Sequence, residues 1–307
     1  MSFKYIFGPI NSRRFGISLG VDLSPSKKSC NFDCLYCELA VSKLSDKIED
    51  EADPKEILLE LKEALKEFKD IDVITITANG EPTLYSRLDE LIDLVDDIKG
   101  RYKTLILSNA STMYKKDVQN ALLKFDIVKL SLDSANKKTF KKLDRIMAGI
   151  ELENIIEGIK SFRTQYKGYL VIEILVVKGL NDSKEEMREL DRVLKEINPD
   201  RVDLSTIDRP PAYMVEGVSQ ERLRELSESF KNISVNVVYK NRPKNRLVYS
   251  KDEILHTIKL RPFSQFDVEY LLDESSKAIL DRLVDEKKVV VKDIAGVEFY
   301  KLVDDKS

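Results

Sequence analysis

Three cysteines within a span of eight residues are the part of this sequence with the clearest chemistry. Cys30, Cys34 and Cys37 are the only cysteines among the 307 residues, and they follow one another at spacings of four and three residues. Thiolates are the usual ligands of iron-sulfur clusters, and four would complete the ligation of a 4Fe-4S cube. Three thiolates leave one iron without a protein ligand. The spacing therefore predicts an open cluster whose fourth iron binds a cofactor or a substrate.

Three other roles for these thiols are alternatives to the cluster. Scattered buried thiols behave as small apolar side chains, but the confinement of all three to one loop disfavours that role. A Cys3His zinc site is the stronger alternative. Its fourth ligand would have to be the single histidine, His256, which lies in what the pattern predicts to be another domain. A disulfide framework needs an even number of cysteines in a small secreted chain, and this sequence meets neither condition.

Cys30-x3-Cys34-x2-Cys37, with the aromatic Tyr36 just before the last cysteine, resembles the signature of the radical S-adenosylmethionine (SAM) superfamily. The resemblance implies that SAM chelates the open iron through its amino and carboxylate groups. It also implies that an electron from the 4Fe-4S cluster cleaves SAM to a 5'-deoxyadenosyl radical, which takes a hydrogen atom from the substrate. The protein's task in such chemistry is to orient the cofactor and exclude water. Tyr36 is then a candidate SAM contact, and a donor such as flavodoxin or ferredoxin supplies the electron.

The composition fits a globular protein of the cytoplasm. A length of 307 residues allows one large domain, or one large and one small domain. Hydrophobic residues at 42% supply a core, whereas 34% charged residues and the lack of a long apolar run predict no membrane span. The first residues lack the features of a signal peptide. A net charge of -3 gives no overall attraction to nucleic acid.

Strand and helix patterns alternate along most of the chain. The predicted strands cover residues 15–23, 73–77, 104–107, 127–132, 170–177 and 201–205. The predicted helices between them cover residues 54–68, 88–98, 116–123, 152–166 and 184–197. Such alternation favours a parallel sheet, and about six units predict an α/β fold with a partial (β/α)6 barrel. The resemblance implies that this barrel is of the radical SAM type.

Polar residues follow these predicted strands at the ends where function gathers in parallel sheets. Any one of these segments could be ordinary turn chemistry. Five of them after a cysteine loop favour a site at this edge of the sheet. The segments are Asn79-Gly80-Glu81-Pro82-Thr83, Ser108-Asn109, Ser131-Leu132-Asp133, Lys178-Gly179-Leu180-Asn181 and Asp208-Arg209-Pro210-Pro211.

Asn79-Gly80-Glu81-Pro82 resembles the Gly-Gly-Glu-Pro motif of the same superfamily, whose backbone and carboxylate receive the amino group of SAM. Asn79 replaces the first glycine, and asparagine adopts glycine-like conformations better than most residues. Glu81 is the natural counter-charge to an ammonium group. The alternative for each of these polar residues is a helix N-cap or an Asx turn. The resemblance adds four further candidate SAM contacts, which are Ser108, Asn109, Ser131 and Asp133.

Charged residues elsewhere in the predicted barrel are candidate contacts to SAM or to the substrate. Arg13 and Arg14 precede the first strand and could neutralise a cluster, a carboxylate or a phosphate, or could be solvated surface arginines. Glu173 interrupts an apolar strand, where burial is costly unless the carboxylate is paired. It either faces the lumen or forms a buried ion pair. The strand ends add three candidate contacts of the same kind, which are Lys178, Asn181 and Arg209.

The pattern changes beyond Arg209. A predicted helix at 220–230 and a last strand at 233–238 precede a basic connector at 240–246. We predict a barrel domain at residues 1–240 and a small domain at residues 241–307. The predicted helices and strands of the small domain follow one another in the order of a winged helix, a fold that can bind nucleic acid. Because acidic residues crowd its helices, we favour a role in protein contact or packing.

Several segments between about residues 5 and 215 together resemble a group of small radical SAM proteins similar to the enzymes that make the wyosine base of tRNA. Wyosine-forming members carry additional N-terminal cysteines, and this chain has none, so the resemblance supports SAM cleavage rather than the wyosine reaction. The leading hypothesis is a radical SAM enzyme with an RNA or protein substrate. The alternative is a cluster-bearing redox or SAM sensor that acts on nucleic acid through the winged helix. The segments are Gly8–Gly16, Ser18–Asp22, the cysteine loop, Gly80–Thr83, Ser131–Asp133, Gly179–Asp182 and Arg209–Pro211.

Overall fold

The computed structural model describes residues 3–12, 14–209, 211–237, 246–260, 262–270, 272–294 and 297–303. Three features singled out in the sequence lie outside these ranges. They are Arg13, Pro210 and nearly all of the basic connector, residues 240–245.

An eight-stranded sheet organises the larger part of the chain. Its strands are β1 (Ile6–Ser12), β2 (Gly16–Asp22), β3 (Val73–Thr77), β4 (Lys103–Ser108), β5 (Ile127–Ser131), β6 (Tyr169–Val176), β7 (Arg201–Thr206) and β8 (Val235–Val237). They lie side by side in sequence order, and β2 to β8 are parallel. This confirms the predicted α/β fold class. The parallel strands number seven rather than six, because the predicted last strand joins the same sheet as β8.

The strand β1 was not predicted, and it pairs antiparallel with β2 at the edge of the sheet. Its sequence contains Gly8 and Pro9, and the pairing register shifts between Phe7 and Ile10. Proline and glycine are poor strand residues except at edges and bulges, and β1 has both features. Gly8 and Pro9 therefore interrupt the residue pattern by which a strand is recognised in a sequence.

Helices connect the parallel strands, and six of these seven were predicted. They are α1 (Pro54–Glu67), α2 (Leu88–Asp96), α3 (Lys116–Leu122), α4 (Lys137–Asp144), α5 (Leu152–Gln165), α6 (Lys184–Ile197) and α7 (Gln220–Ser227). Local capping fixes where several begin: the side chain of Asp53 accepts a hydrogen bond from the N–H of Lys55, and that of Ser183 accepts one from the N–H of Glu186.

Helix α4 was not predicted. Only Phe140 and Leu143 among its eight residues are apolar, and four of the others are lysines, so its helical period is weak. The side chain of Asn136 caps it by accepting hydrogen bonds from the N–H groups of Lys138 and Thr139. Phe140 and Leu143 are both buried. Two buried apolar side chains and a cap therefore accompany this helix in place of a regular apolar period.

Alternation along the parallel strands decides what lines the inner face of the sheet. At the amino ends of the strands this face is apolar, and its residues pack in a cluster with Phe15: Val73, Leu105, Ile127 and Val171. Two residues further along, β5 and β6 place Lys129 and Glu173 on the same face, and Asp203 of β7 pairs in register with Glu173. The lumen thus has an apolar floor with a charged layer nearer the carboxyl ends.

A smaller unit follows the sheet. It contains α8 (Lys251–Leu260), β9 (Phe263–Ser264), α9 (Gln265–Tyr270), α10 (Glu274–Asp285), β10 (Val289–Ile294) and β11 (Val297–Leu302), with the strand order β10-β11-β9. Its buried residues, which include Tyr249, Ile254 and Leu280, form a core separate from that of the barrel. The three helices and the two last strands follow one another as predicted, whereas the short strand β9 was not predicted. The assignment as a winged helix stays a prediction.

The small unit packs on the edge strand β1 through α8. The hydroxyl of Tyr249 donates a hydrogen bond to the carbonyl oxygen of Pro9 (2.5 Å), and the ring Nε2 of His256 lies 2.9 Å from that of Ile6. An uncovered edge strand offers unpaired backbone groups to other chains, so this packing protects it. No helix within the described ranges combines the length and the apolar character needed to cross a bilayer.

Candidate active site at the carboxyl ends of the strands

The three cysteines lie in a loop, residues 29–38, that follows β2 and that we call the cysteine loop. The N–H of Ser29 donates to the carbonyl oxygen of Asn79, and the N–H of Glu81 donates to that of Ser29, both at 2.9 Å. Gly80 sits in this pairing at a φ of 134°, and a Cβ there would lie 1.8 Å from the oxygen of Ser29. The glycine is required by this close approach. The pairing joins the two motifs that the sequence analysis singled out.

All three thiols are free and partly buried. The sulfur of Cys30 accepts hydrogen bonds from the N–H of Phe32 at 3.5 Å and from Nδ2 of Asn109 at 3.7 Å. The sulfur of Cys37 accepts one from Nζ of Lys28 at 3.4 Å. The pKa of Cys30 is raised to about 12. Burial is the largest cause, and the negative charge of Glu81 is the second. The metal ligand is the thiolate, so metal binding would release this proton.

The arrangement suits a cluster better than a single metal ion. Within the described ranges, no group of three or more His, Cys, Asp or Glu side chains could hold one metal ion. His256, the fourth ligand that zinc would need, contacts β1 from the small unit instead. A cluster distributes its thiolate ligands over separate irons, so the sulfurs need not converge on one point. Three free thiols on one loop therefore fit a 4Fe-4S cluster, and the structure gives the zinc alternative no support.

Glu81 is buried, with 1% of its surface exposed. Its Oε1 accepts hydrogen bonds from the N–H (3.0 Å) and hydroxyl (2.6 Å) of Thr83 and from the hydroxyl of Ser108 (2.8 Å). Its Oε2 accepts one from the N–H of Asn109 (2.7 Å). Burial raises the pKa of Glu81, while these donors oppose the rise. The carboxylate thus caps the turn that follows it and ties together the ends of β3 and β4, and its contact with SAM stays a prediction.

Asn109 links this carboxylate to the cysteine loop. Its Nδ2 donates to Oδ1 of Asn31 at 3.1 Å and lies near the sulfur of Cys30. Asn31 in turn donates from Nδ2 to the hydroxyl of Ser111 at 2.8 Å. The end of β4 and the cysteine loop therefore share one hydrogen-bond network. Of the predicted SAM contacts, Ser108 and Asn109 lie in it, beside the thiols.

Tyr36 and Asp133, two further predicted SAM contacts, bind each other. The hydroxyl of Tyr36 donates to Oδ2 of Asp133 and lies 3.3 Å from Oδ1 of Asp144, and both carboxyl groups are buried. The N–H of Leu175 donates to Oδ1 of Asp133 at 2.7 Å. Burial raises the pKa of Asp133 to about 7. Burial, together with the neighbouring carboxyl group of Asp133, raises the pKa of Asp144 well above its usual value. The site thus has a buried acidic pair directly under the cysteine loop, while Ser131 is half-buried at the end of β5.

Glu173 and Arg14 form an ion pair in the lumen, with Nη2 of Arg14 2.6 Å from Oε1 of Glu173. Lys129 approaches the other oxygen at 2.7 Å, and Nε of Arg14 lies 3.4 Å from Asp203. Burial acts to raise the pKa of Glu173, but the charges of Lys129 and Arg14 prevail and lower it to about 2. Glu173 thus combines the two alternatives, since it lies in the lumen and also forms ion pairs, and its contact with SAM or substrate stays a prediction. The alternative of a solvated surface residue for Arg14 is wrong, because its side chain is 18% exposed.

The remaining candidates differ in their surroundings. Lys178 is exposed and pairs with Glu216, with 2.7 Å between Nζ and Oε2. Asn181 is fully buried, donates to the carbonyl oxygens of Asp133 (2.8 Å) and Leu175 (2.9 Å), and so supports the strand end that carries Asp133. Arg209 donates from Nη1 to Oε2 of Glu38 at 2.5 Å. Glu38 follows Cys37 directly in the sequence. Arg209 is the one of these three whose partner belongs to the cysteine loop.

The structure adds residues that sequence reasoning missed. Lys28 stands beside the sulfur of Cys37, and a cation so close to a cysteine cluster in sequence was a usable signal. The hydroxyl of Tyr213 donates to Oδ2 of Asp33 at 2.6 Å, and the N–H of Ala212 donates to the carbonyl oxygen of Cys37 at 2.8 Å. Nothing local in the sequence marks these last contacts, since they join segments about 180 residues apart.

Comparison with known proteins shows which family this chain resembles. Residues 26–191 match the family described as the Radical SAM superfamily. A UPF0026 protein of Helicobacter pylori (strain J99) is 42% identical over 298 residues, which cover 96% of this chain and 96% of that protein. It is similar to this chain along nearly its whole length.

Two solved structures share the fold. A radical SAM methyltransferase from Sphaerobacter thermophilus aligns with a TM-score of 0.56 at 16% identity, covering 72% of this chain and 66% of that one. TYW1 with a lysine-pyruvate adduct bound aligns with a TM-score of 0.53 at 19% identity, covering 71% of this chain and 74% of that one. The family match spans more than half of the chain and includes the cysteine loop, and members of that family are enzymes that use a 4Fe-4S cluster and SAM. The chain belongs to the radical SAM superfamily.

Proposed function

We propose that Cys30, Cys34 and Cys37 bind a 4Fe-4S cluster and that this enzyme cleaves SAM reductively. The pairing of Ser29 with Asn79 and Glu81 carries the proposal, because it holds the free thiols against the segment that resembles the SAM-binding motif. The chemistry that the bound cluster supplies is the one-electron cleavage of SAM to methionine and a 5'-deoxyadenosyl radical, which takes a hydrogen atom from the substrate. Lys28 places a positive charge beside this loop, with 3.4 Å between its Nζ and the sulfur of Cys37.

The residues around the loop have distinct proposed tasks. The backbone at Asn79 and Gly80 would receive the amino group of SAM, in the manner of the motif that it resembles. Glu81 would position Asn109 for its contact with SAM, because its Oε2 accepts a hydrogen bond from the N–H of Asn109 at 2.7 Å. The alternative is that Glu81 itself contacts the ammonium group of SAM. The strand ends would bind the rest of SAM, as the resemblance implies, through Tyr36, Ser108, Asn109, Ser131 and Asp133.

The charged layer of the lumen is the proposed position of the substrate. The side chain of Glu173 is 21% exposed although it forms two ion pairs, so it borders the open part of the lumen. Arg14 and Lys129 hold it in its charged form. RNA is our first candidate for the substrate, supported by the sequence resemblance to wyosine-forming enzymes, and protein is the second. Comparing modified nucleosides in total RNA from cells with and without the gene tests this choice; a change in protein mass alone would favour the second candidate.

The experiment for the reaction itself is anaerobic. The protein is reconstituted with iron and sulfide, reduced with dithionite and incubated with SAM. We expect 5'-deoxyadenosine and methionine from the wild type and from Lys43→Ala, an exposed change in the segment after the cysteine loop. We expect neither product from Cys34→Ala. Fully reconstituted wild-type protein that forms neither product would overturn the proposal, and one colourless zinc per chain would replace it with a structural metal site.

We propose that residues 241–307 form a separate domain that packs on the barrel rather than reading nucleic acid. Its own core and the bonds of Tyr249 and His256 to β1 support this role. A chain that ends before residue 246 should expose β1 and aggregate more readily, while its affinity for DNA and RNA stays that of the full chain. Cluster-dependent DNA binding that disappears with this domain would favour the sensor hypothesis instead.

A further inference from the structure

Helix α4 is attached directly to the cysteine loop. The N–H of Asp33 donates to the carbonyl oxygen of Asp144 at 3.1 Å, and the N–H of Leu35 donates to that of Leu143 at 2.9 Å. The ring of Phe32 meets that of Phe140 edge to face, with 5.7 Å between the centroids. The two residues that flank Cys34 are therefore both bonded to the last turn of α4.

The outer side of this helix carries positive charge. Lys138 and Lys142 are exposed, and neither forms an ion pair within the part of the chain that the structure describes. The other cations have acidic partners: Lys137 and Lys141 lie near Glu151, and Arg145 contacts Asp33. We call the exposed set the basic face of α4, and its members are Lys137, Lys138, Lys141, Lys142 and Arg145.

We propose that the basic face of α4 is the docking surface for an acidic one-electron carrier that reduces the cluster. This inference rests on the proposed function. In the step itself the carrier, a reduced flavodoxin or ferredoxin, loses one electron and the cluster gains one, without a proton or group transfer. The bonds of Asp33 and Leu35 place a partner seated on α4 next to the loop that holds Cys34.

Charge and size favour a carrier on this surface. The chain as a whole has a net charge of -3, so a local excess of cations on one short helix gives an acidic partner a defined place to approach. The helix has eight residues, and encounters between redox proteins use small interfaces of this kind. Nucleic acid gains its affinity from many phosphate contacts spread over a longer surface.

The test compares two charge reversals in the reconstituted full chain. Lys138→Glu with Lys142→Glu changes the basic face of α4, and Lys55→Glu with Lys62→Glu makes the same change on exposed positions of α1. Binding is measured with flavodoxin and with a plant-type ferredoxin, at rising salt, alongside a short single-stranded RNA. We expect the α4 variant to bind the carriers about tenfold more weakly than wild type and with a flatter salt dependence, and the α1 variant to match wild type.

Reduction of the cluster gives the second measurement. The rate of its reduction by reduced flavodoxin should fall about tenfold in the α4 variant, whereas reduction by dithionite should be unchanged, since dithionite needs no docking surface. Equal carrier binding and equal reduction rates in the two variants would overturn the inference. So would a loss of RNA binding without a loss of carrier binding. If dithionite does not support SAM cleavage in the wild type, that result would instead contradict the proposed function.

Discussion

The carbonyl oxygen of Ser29 lies 1.8 Å from the point where a Cβ on Gly80 would stand. The backbone of Gly80 thus touches the cysteine loop directly, and no larger residue fits without moving one of the two segments. We expect Gly80→Ala to lower the iron content of the reconstituted protein to less than half that of wild type. Iron and sulfide analysis, together with the visible absorption of the cluster, measures this.

Gly179→Ala is the matched control for this change. Gly179 also has a positive φ, of 72°, but a Cβ there would meet nothing within 4 Å. Backbone strain alone should cost about 1 kcal/mol of unfolding free energy and leave the iron content unchanged. Equal iron loss in both variants would show that strain, and not contact with Ser29, matters at Gly80.

Glu81→Gln tests whether this carboxylate is structural. The Glu81 carboxylate accepts four hydrogen bonds, and the change replaces one of its two oxygens with an NH2 group, which cannot accept them. Buried donors that bonded to this oxygen are then left without an acceptor. We expect the unfolding free energy of the protein without cluster or SAM to fall by roughly 2–3 kcal/mol in urea. Glu63→Gln, which affects the surface pair with Lys66, should change it by less than about 1 kcal/mol. Unchanged stability together with weaker SAM binding would assign Glu81 to direct SAM contact.

Glu173 predicts a dependence of stability on pH. Its pKa in the folded protein is lowered to about 2, below the usual value of about 4.3 for an unfolded chain. The stabilisation is therefore complete above about pH 4.3 and is lost as the pH falls through about 2. Its size is roughly 3 kcal/mol. Urea unfolding between these pH values should show a smaller loss of stability on acidification for Glu173→Gln than for wild type.

The control for that series is Glu225→Gln, which removes a surface ion pair with Arg222. Exposed pairs of this kind contribute less than about 1 kcal/mol, so its pH profile should follow that of wild type. Identical profiles for Glu173→Gln and wild type would show that Arg14 and Lys129 do not hold the carboxylate in its charged form.

Tyr213→Phe should loosen the cysteine loop without altering its ligands. The hydroxyl of Tyr213 bonds Asp33, which lies next to Cys34, from a segment that follows β7. Losing one such hydrogen bond costs about 1 kcal/mol, so we expect a chelator to remove iron about fivefold faster than from wild type. Tyr114→Phe, on a half-exposed side chain, should match wild type. Equal rates for all three proteins would contradict a role for Tyr213 in holding the loop.

Local sequence patterns were sufficient for much of this protein. The period of the apolar residues in α1 and α6 and the apolar run of β6 depend only on neighbouring residues, and the structure confirms these elements. The prediction that the three cysteines bind a cluster likewise rests only on their spacing in the sequence. Local patterns were insufficient where tertiary contacts decide the element: β1 needs its pairing with β2, and α4 is held by two buried side chains.

The sequence by itself determined the class of fold and the family, and it singled out the three thiols as candidate cluster ligands. Each of these depends on patterns among residues that are close together in the chain. Only the tertiary structure decided which side chains meet. In the structure, the side chain of Glu81 is buried and bonded to Ser108, and the end of α4 contacts the cysteine loop. Glu173 pairs with Arg14 and Lys129. The physical reason is that these contacts join residues far apart in the chain, and their geometry is set by the packing of whole strands and helices rather than by any local pattern.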